Sequence, residues 1–315
     1  MTLAATAPAR RPRQFTRLCS SLWTPRCWSG VAGMLGSRPV TVVRGLRDGG
    51  SPWLLEADGQ QVVLRVVSLN WVESTATEVA AMQLAAEAGI PVPELLGHDD
   101  GTATGWTLVL MSRVAGSSFI PAEPASARLR MLGAAAAKIS SVQLAPTAAL
   151  PVRTQPTPLA DFARMRREQD ASELLREAEE AVARRPPTAA RHGLVHGDLW
   201  HGNTLWDDGR LAGIVDWDCA GTGAAGVDLG SLRCDAALCY GPSAPDEVLR
   251  GWEEEAGRPA ADVAYWDAVA ALASPPDLGW FVAAVSSQGR PDLNRPLMLE
   301  RREEFLRQAL DRLPG

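Results

Sequence analysis

Lysine is nearly absent from this chain: Lys138 is the only one in 315 residues. Arg, Ala, Gly and Pro are heavily used instead, so this is a compositional bias and carries no chemistry. Also missing is any apolar run of the roughly 18–20 residues needed to cross a bilayer, which excludes a membrane-spanning helix. The five cysteines (Cys19, Cys27, Cys219, Cys234 and Cys239) lack the paired spacing of a zinc module. Their odd number makes a reducing cytoplasm the expected home. Acidic residues are absent from positions 1–47, which hold eight Arg. The remainder carries 23 basic against 37 acidic side chains, a net charge of −14. A body of that sign argues against nucleic acid, which needs a basic face to neutralise phosphates. It is compatible with a cationic small substrate, although surface acidity most often serves solubility. The Arg10-Arg11 pair is followed by Thr16, Arg17, Cys19, Ser20 and Ser21, too polar for an export signal. Residues 1–21 are therefore expected to form a poorly ordered basic leader.

What is present has two characters. From Val40 the pattern is strand-like: Val40–Val43, a glycine-rich turn from Gly45 to Pro52, Trp53–Ala57, an Asp58-Gly59 turn, then Val62–Val67. A helix is expected over Glu73–Ala88, stopped by Gly89 and Pro91. Pro91–Pro93 reads as an extended connector, and Trp106–Met111 as a further strand. Beyond Gly116 the helical pattern dominates, with helices expected over 126–145, over Leu159–Arg185, through 245–312 and, last, over Arg301–Leu313. The four prolines of Pro146–Pro158 mark a linker. No internal repeat is visible. The expected class is α+β, with a small β-rich N-lobe (22–113) and a larger helical C-lobe (114–315). Nothing indicates the oligomeric state.

Reactive residue types concentrate in His196-Gly197-Asp198-Leu199-Trp200-His201-Gly202-Asn203, followed by an Asp208-Gly209 hairpin signal and then Asp216. A hairpin turning at Asp208-Gly209 sets Asn203 and Asp216 within one or two residues of opposite register. Cross-strand neighbours lie about 5 Å apart, so an amide oxygen and a carboxylate can share one hard cation, for which magnesium is suited. Asp198, five residues before Asn203, stands where a carboxylate can accept a proton from an incoming hydroxyl. Base plus metal ligands is the arrangement that phosphoryl transfer requires.

The stretch "LVHGDLWHGNTLW…GIVDWD" resembles the aminoglycoside phosphotransferase family, which shares a two-lobed protein-kinase-like fold with choline and fructosamine kinases. The resemblance implies ATP and Mg2+ as cofactors and a small-molecule hydroxyl acceptor, with Asp198 as base, His196 orienting its loop, and Asn203 and Asp216 as metal ligands. "VVLRV" is similar to the family's third strand, making Arg65 the phosphate-binding cation with Glu78 as its partner. "LVLMSRVAG" is similar to the adenine-binding hinge, implying the Ser112 carbonyl and the Val114 amide. Gly49 and Gly50 stand in the phosphate-covering segment, which lacks the kinase glycine spacing. Asp228, in "GVDLG", matches a buried acid that buttresses the catalytic loop. Trp217-Asp218, in place of Phe-Gly, fits the small-molecule branch. The likeness covers roughly residues 31–312.

Competing readings are a non-catalytic nucleotide-binding relative and a metal hydrolase using His192, His196 and His201, whose spacing fits no common zinc motif. Trp252, Trp266 and Trp280 are expected in the core or as an aromatic wall, and Cys234 and Cys239 in the core. Asp218, Glu253-Glu254-Glu255, Asp262 and Asp267 are expected to make the acceptor pocket negative and so to favour an amine-bearing alcohol, such as an amino sugar.

Overall fold

A computed structural model describes residues 25–36, 39–47, 50–67, 69, 72–169, 171–187 and 192–313. The expected leader (1–21) and Gly49 lie outside the described residues. The chain divides into two compact units. The first runs up to Thr75 and adds Leu95–Arg113; the second comprises Ala76–Glu94 and Val114–Gly315.

The first unit opens with helix α1 (Pro25–Met34), followed by strands β1 (Val40–Arg47), β2 (Gly50–Ala57) and β3 (Gln60–Val67). Helix α2 (Val72–Glu87) begins here and continues into the second unit. Strands β4 (Leu95–Asp100) and β5 (Thr107–Ser112) complete an antiparallel sheet of order β1-β2-β3-β5-β4. Alternation along β3 places Val62, Leu64 and Val66 in a core with Leu55, Leu108, Leu110, Cys27 and Val31.

Three expectations change here. The expected glycine-rich turn is mostly ladder: Gly45 pairs with Trp53 and Arg47 with Gly50, because pairing satisfies backbone groups that an open loop would leave to water. Strand β4 was not anticipated; its sequence, LLGHDD, has no β-branched residue and is recruited by pairing with β5. Helix α1 has only a short amphipathic pattern, and it forms where Cys27 and Val31 reach the sheet core.

The second unit carries α3 (Ser126–Ser141), β6 (Val152–Arg153), α4 (Phe162–Glu168), α5 (Glu173–Arg184) and β7 (Gly193–Val195). The hairpin strands β8 (Thr204–Asp207) and β9 (Arg210–Ile214), β10 (Gly221–Gly223) and helices α6 (Gly226–Tyr240), α7 (Ala244–Ala256), α8 (Val263–Leu272), α9 (Gly279–Ser287) and α10 (Arg295–Arg312) follow. The single helix expected over Leu159–Arg185 is two. Asp161 caps α4 by accepting from the Arg164 N–H at 2.9 Å, and the helical run stops at Gln169 before restarting after Ser172. The last helix starts at Arg295 rather than Arg301, because Asn294 caps it through the Leu297 N–H at 3.1 Å.

Helices α3 and α7 meet backbone to backbone. A Cβ at Gly133 would overlap the Val248 carbonyl, and one at Gly251 the Arg130 carbonyl, so only glycine permits this approach. Arg130 Nε then reaches Glu247 at 2.7 Å. Arg233 is buried on α6 and holds Asp267 of α8 by two bonds, of 2.8 and 2.9 Å. Trp252 and Trp266 are core, as are Cys234 and Cys239. Among the described residues no helix is long and apolar enough to cross a membrane.

Candidate active site

Strand β7 delivers the chain into the loop at His196. Gly197 has φ +79°, and a Cβ there would overlap the Cys219 carbonyl, so the turn requires glycine. Asp228, in the first turn of α6, fixes the loop by accepting the N–H groups of His196 at 2.7 Å and Gly197 at 2.9 Å. Burial pushes its carboxyl up to about 6, against the pull of those two donors.

His196 is fully buried with its ring centroid 4.5 Å from that of Trp217. Its Nδ1 accepts the Asp198 N–H at 3.3 Å, so Nε2 carries the proton and donates to the Val215 carbonyl at 3.0 Å. Burial lowers its pKa to about 4, keeping the ring neutral. The imidazole thus ties the loop at Asp198 to the residue preceding Asp216.

The hairpin does what its Asp-Gly signal predicts. Asp208 and Gly209 take positive φ between β8 and β9, and the Val215 N–H donates to the Asn203 carbonyl at 2.9 Å. Asp216 comes one residue later in a left-handed conformation, φ +70°, before the turn Trp217–Cys219. Asn203 Nδ2 donates to the Asp198 carbonyl at 2.9 Å and to its carboxylate at 3.0 Å, which leaves the amide oxygen as its acceptor end. Thr157 donates to the other Asp198 oxygen at 3.3 Å. Withdrawal from water and then the charges of Asp216 and Asp218 push Asp198 up to about 7, opposed by the bonds from Asn203 and Thr157. A cluster of carboxylates that repel one another, with an amide oxygen beside them, is a hard-oxygen donor set that fits magnesium.

The other expected site residues are distributed over both units. Arg65 is half-buried on β3, Ser112 half-buried at the end of β5, and Gly50 opens β2, all in the first unit. In the second, Glu78 is buried on α2, and Val114 packs at Gly213 of β9.

Two contributors, Thr157 and Asp235, escaped the sequence reading. Thr157 sits in the proline-rich linker at φ +49°, unusual for a β-branched residue. It is held there by its N–H bond to the Gly197 carbonyl at 2.6 Å and by its hydroxyl on Asp198. His201 hydrogen-bonds through Nδ1 to Asp235 of α6, which also accepts the His201 N–H at 2.8 Å. His192 is exposed and His201 is committed to Asp235, so the three histidines do not form a zinc set.

A cavity of about 310 Å3 opens at Asp198. Its helix face is Ser231, Cys234, Asp235 and Leu238, the i, i+3, i+4, i+7 stripe of α6. Aromatic walls come from Phe162 on α4, Trp200 beside the loop, and Trp280 and Phe281 on α9. The expected acidic wall is not there. Asp267 is locked to Arg233, Glu253 accepts the Ala260 N–H, and Glu254 and Glu255 lie by Arg130 and Lys138. None of these, nor Asp218 or Asp262, lines this cavity. Helix spacing turned Glu254 and Glu255 toward α3 and Asp267 into the core.

An antiparallel five-stranded sheet with its helix, followed by a helical unit carrying the loop-and-hairpin pattern, is a protein-kinase-like fold. The chain belongs to the phosphotransferase enzyme family, whose sequence model matches residues 42–272. Similar solved structures include a macrolide 2'-phosphotransferase from Brachybacterium faecium, at 20% identity and TM-score 0.58, covering 91% of this chain and 98% of that one. An amicoumacin kinase in complex with AMP-PNP and Ca2+ aligns at 14% identity and TM-score 0.58, covering 95% and 96%. An aminoglycoside phosphotransferase in a ternary complex with ADP and hygromycin B gives 15% and 0.58, covering 89% and 97%. At such identities the likeness shows the fold alone. No curated protein matches the chain.

Proposed function

We propose that this protein transfers the γ-phosphoryl group of ATP to a hydroxyl of a small molecule. The observation that carries the reading is the Asp198 carboxylate, held by Thr157 and Asn203 at the edge of a cavity, with the oxygens of Asn203 and Asp216 beside it. Asp198 accepts the proton of the acceptor hydroxyl as that oxygen forms its bond to the γ-phosphorus, and ADP departs with the electrons of the broken P–O bond. Asn203 and Asp216 would hold magnesium, which supplies neutralisation of phosphate charge. His196 and Asp228 act as positioning residues, fixing where the base stands. Arg65 with Glu78 is assigned to phosphate binding, Gly49 and Gly50 to the segment over the phosphates, and Ser112 and Val114 to the adenine.

The alternative is a nucleotide-binding relative without turnover. The intact set of Asp198, Asn203 and Asp216 favours the enzyme. Incubating the purified chain with ATP, magnesium and a panel of hydroxyl compounds, and following ADP release together with phosphorylated product, tests the proposal. Product formation that requires both ATP and magnesium is expected. ATP binding without transfer to any member of a broad panel would favour the non-catalytic reading.

A further inference from the structure

We propose that the acceptor is a compact, apolar-bodied alcohol, an aromatic or alicyclic ring system bearing a hydroxyl and little charge, and not a polycationic amino sugar. This rests on the phosphotransfer reading above for the step at Asp198 but draws on different residues.

Most of the polar side chains of the cavity are already engaged. Asp235 is 3% exposed, and its oxygens accept from the His201 backbone N–H and ring and from the Cys239 thiol. The Thr157 hydroxyl is used on Asp198, and the Ser274 hydroxyl donates to the Ala271 carbonyl at 2.7 Å. Asp198 itself must receive the reacting hydroxyl. What remains for the body of the acceptor is the Ser231 hydroxyl, half-buried on α6, and the indole N–H groups of Trp200 and Trp280, none with a hydrogen-bond partner among the described residues.

The rest of the wall is mostly apolar. Phe162 and Trp280 meet edge to face at 5.9 Å, and Trp200 and Phe281 pack at 5.5 Å. Trp280 is 52% exposed, an indole at the rim that an apolar guest would cover. Each ammonium of an amino sugar moved into this space would lose water and meet only the Asp198 and Asp235 carboxylates, both already engaged in hydrogen bonds, which is costly for a polycation. An aromatic or alicyclic body loses little on leaving water and gains contact with these rings. The volume of about 310 Å3 is at the small end of ligand sites, about 300–1,000 Å3, and suits one or two rings.

The test uses the full chain and three probes: 2-(2-naphthyl)ethanol, the two-ring polycationic amino sugar neamine, and neutral sucrose. Their affinities are measured by calorimetry, and phosphoryl transfer to each is followed separately. The naphthyl alcohol is expected to bind at least ten-fold tighter than either sugar. Trp280→Ala, a change at an exposed residue, is expected to weaken it five-fold or more while leaving ADP affinity within two-fold. Tighter binding of neamine, or naphthyl-alcohol affinity unchanged in Trp280→Ala, overturns the proposal. Naphthyl-alcohol binding without transfer would support the apolar pocket and count against phosphotransfer. Transfer to neamine without naphthyl-alcohol binding would do the reverse.

Discussion

The loop and hairpin of residues 193–219 and the cavity that opens beside them are built in opposite ways. In the loop the key side chains have defined polar partners: Asp198 is held by Asn203, five residues on, and by Thr157 from the linker, and His196 bridges Asp198 to Val215. The cavity wall is assembled from α4, α6, α8 and α9 and the linker at Pro156-Thr157, mostly through apolar faces with no fixed sequence spacing between helices. On the proposed function, chemistry would be specified by a polar network largely within the loop and hairpin, and acceptor choice by packing between helices. The two properties should therefore be separable by mutation, with loop changes removing turnover and wall changes redirecting it.

The largest effect that would sharpen this contrast is on metal dependence. Asp216→Ala removes a charged oxygen donor and is expected to weaken magnesium-dependent ATP binding by about 10- to 100-fold, while binding measured with a chelator stays the same. Calorimetric titration of both proteins with and without magnesium checks it. Equal magnesium dependence in both would remove Asp216 from the metal site.

A second effect concerns His196. A group whose pKa is depressed in the fold stabilises it above its unfolded pKa and loses that contribution as pH falls through the folded value. For His196 this window runs from 6.5 down to about 4. The wild type should lose about 3 kcal/mol more stability across that window than His196→Gln does. Asp228 pulls the other way in both proteins, because its raised pKa adds stability as pH falls below about 6. Denaturant unfolding at several pH values measures the difference, and parallel curves would show that the imidazole is not buried in its neutral form.

The same contrast explains what the sequence revealed. The Asp208-Gly209 turn, the five-residue step from Asp198 to Asn203 and the position of Asp216 are local patterns, so the hairpin and its register could be read directly. The break between α4 and α5 depends on a cap at Asp161 and a restart after Ser172, inside a stretch whose charge pattern looks continuous. Strand β4 exists because β5 offers it an edge. Thr157 lay hidden because its role depends on a positive φ that no threonine advertises. The acidic wall failed for a related reason. Helical phase, which composition does not report, decides whether an acid such as Asp267 meets solvent, a cavity or a buried arginine.

The central claim, that Asp198 is the base of a phosphoryl transfer, is tested most directly by single-turnover transfer from magnesium-ATP to an identified acceptor in the wild type and in Asp198→Asn. The substitution keeps the shape of the side chain and a partner for Thr157 or Asn203 while removing the proton acceptor. A fall of at least about 100-fold in the transfer rate, with ATP affinity and melting temperature close to wild type, is the predicted result. A folded Asp198→Asn protein that transfers phosphate at near the wild-type rate would contradict the account.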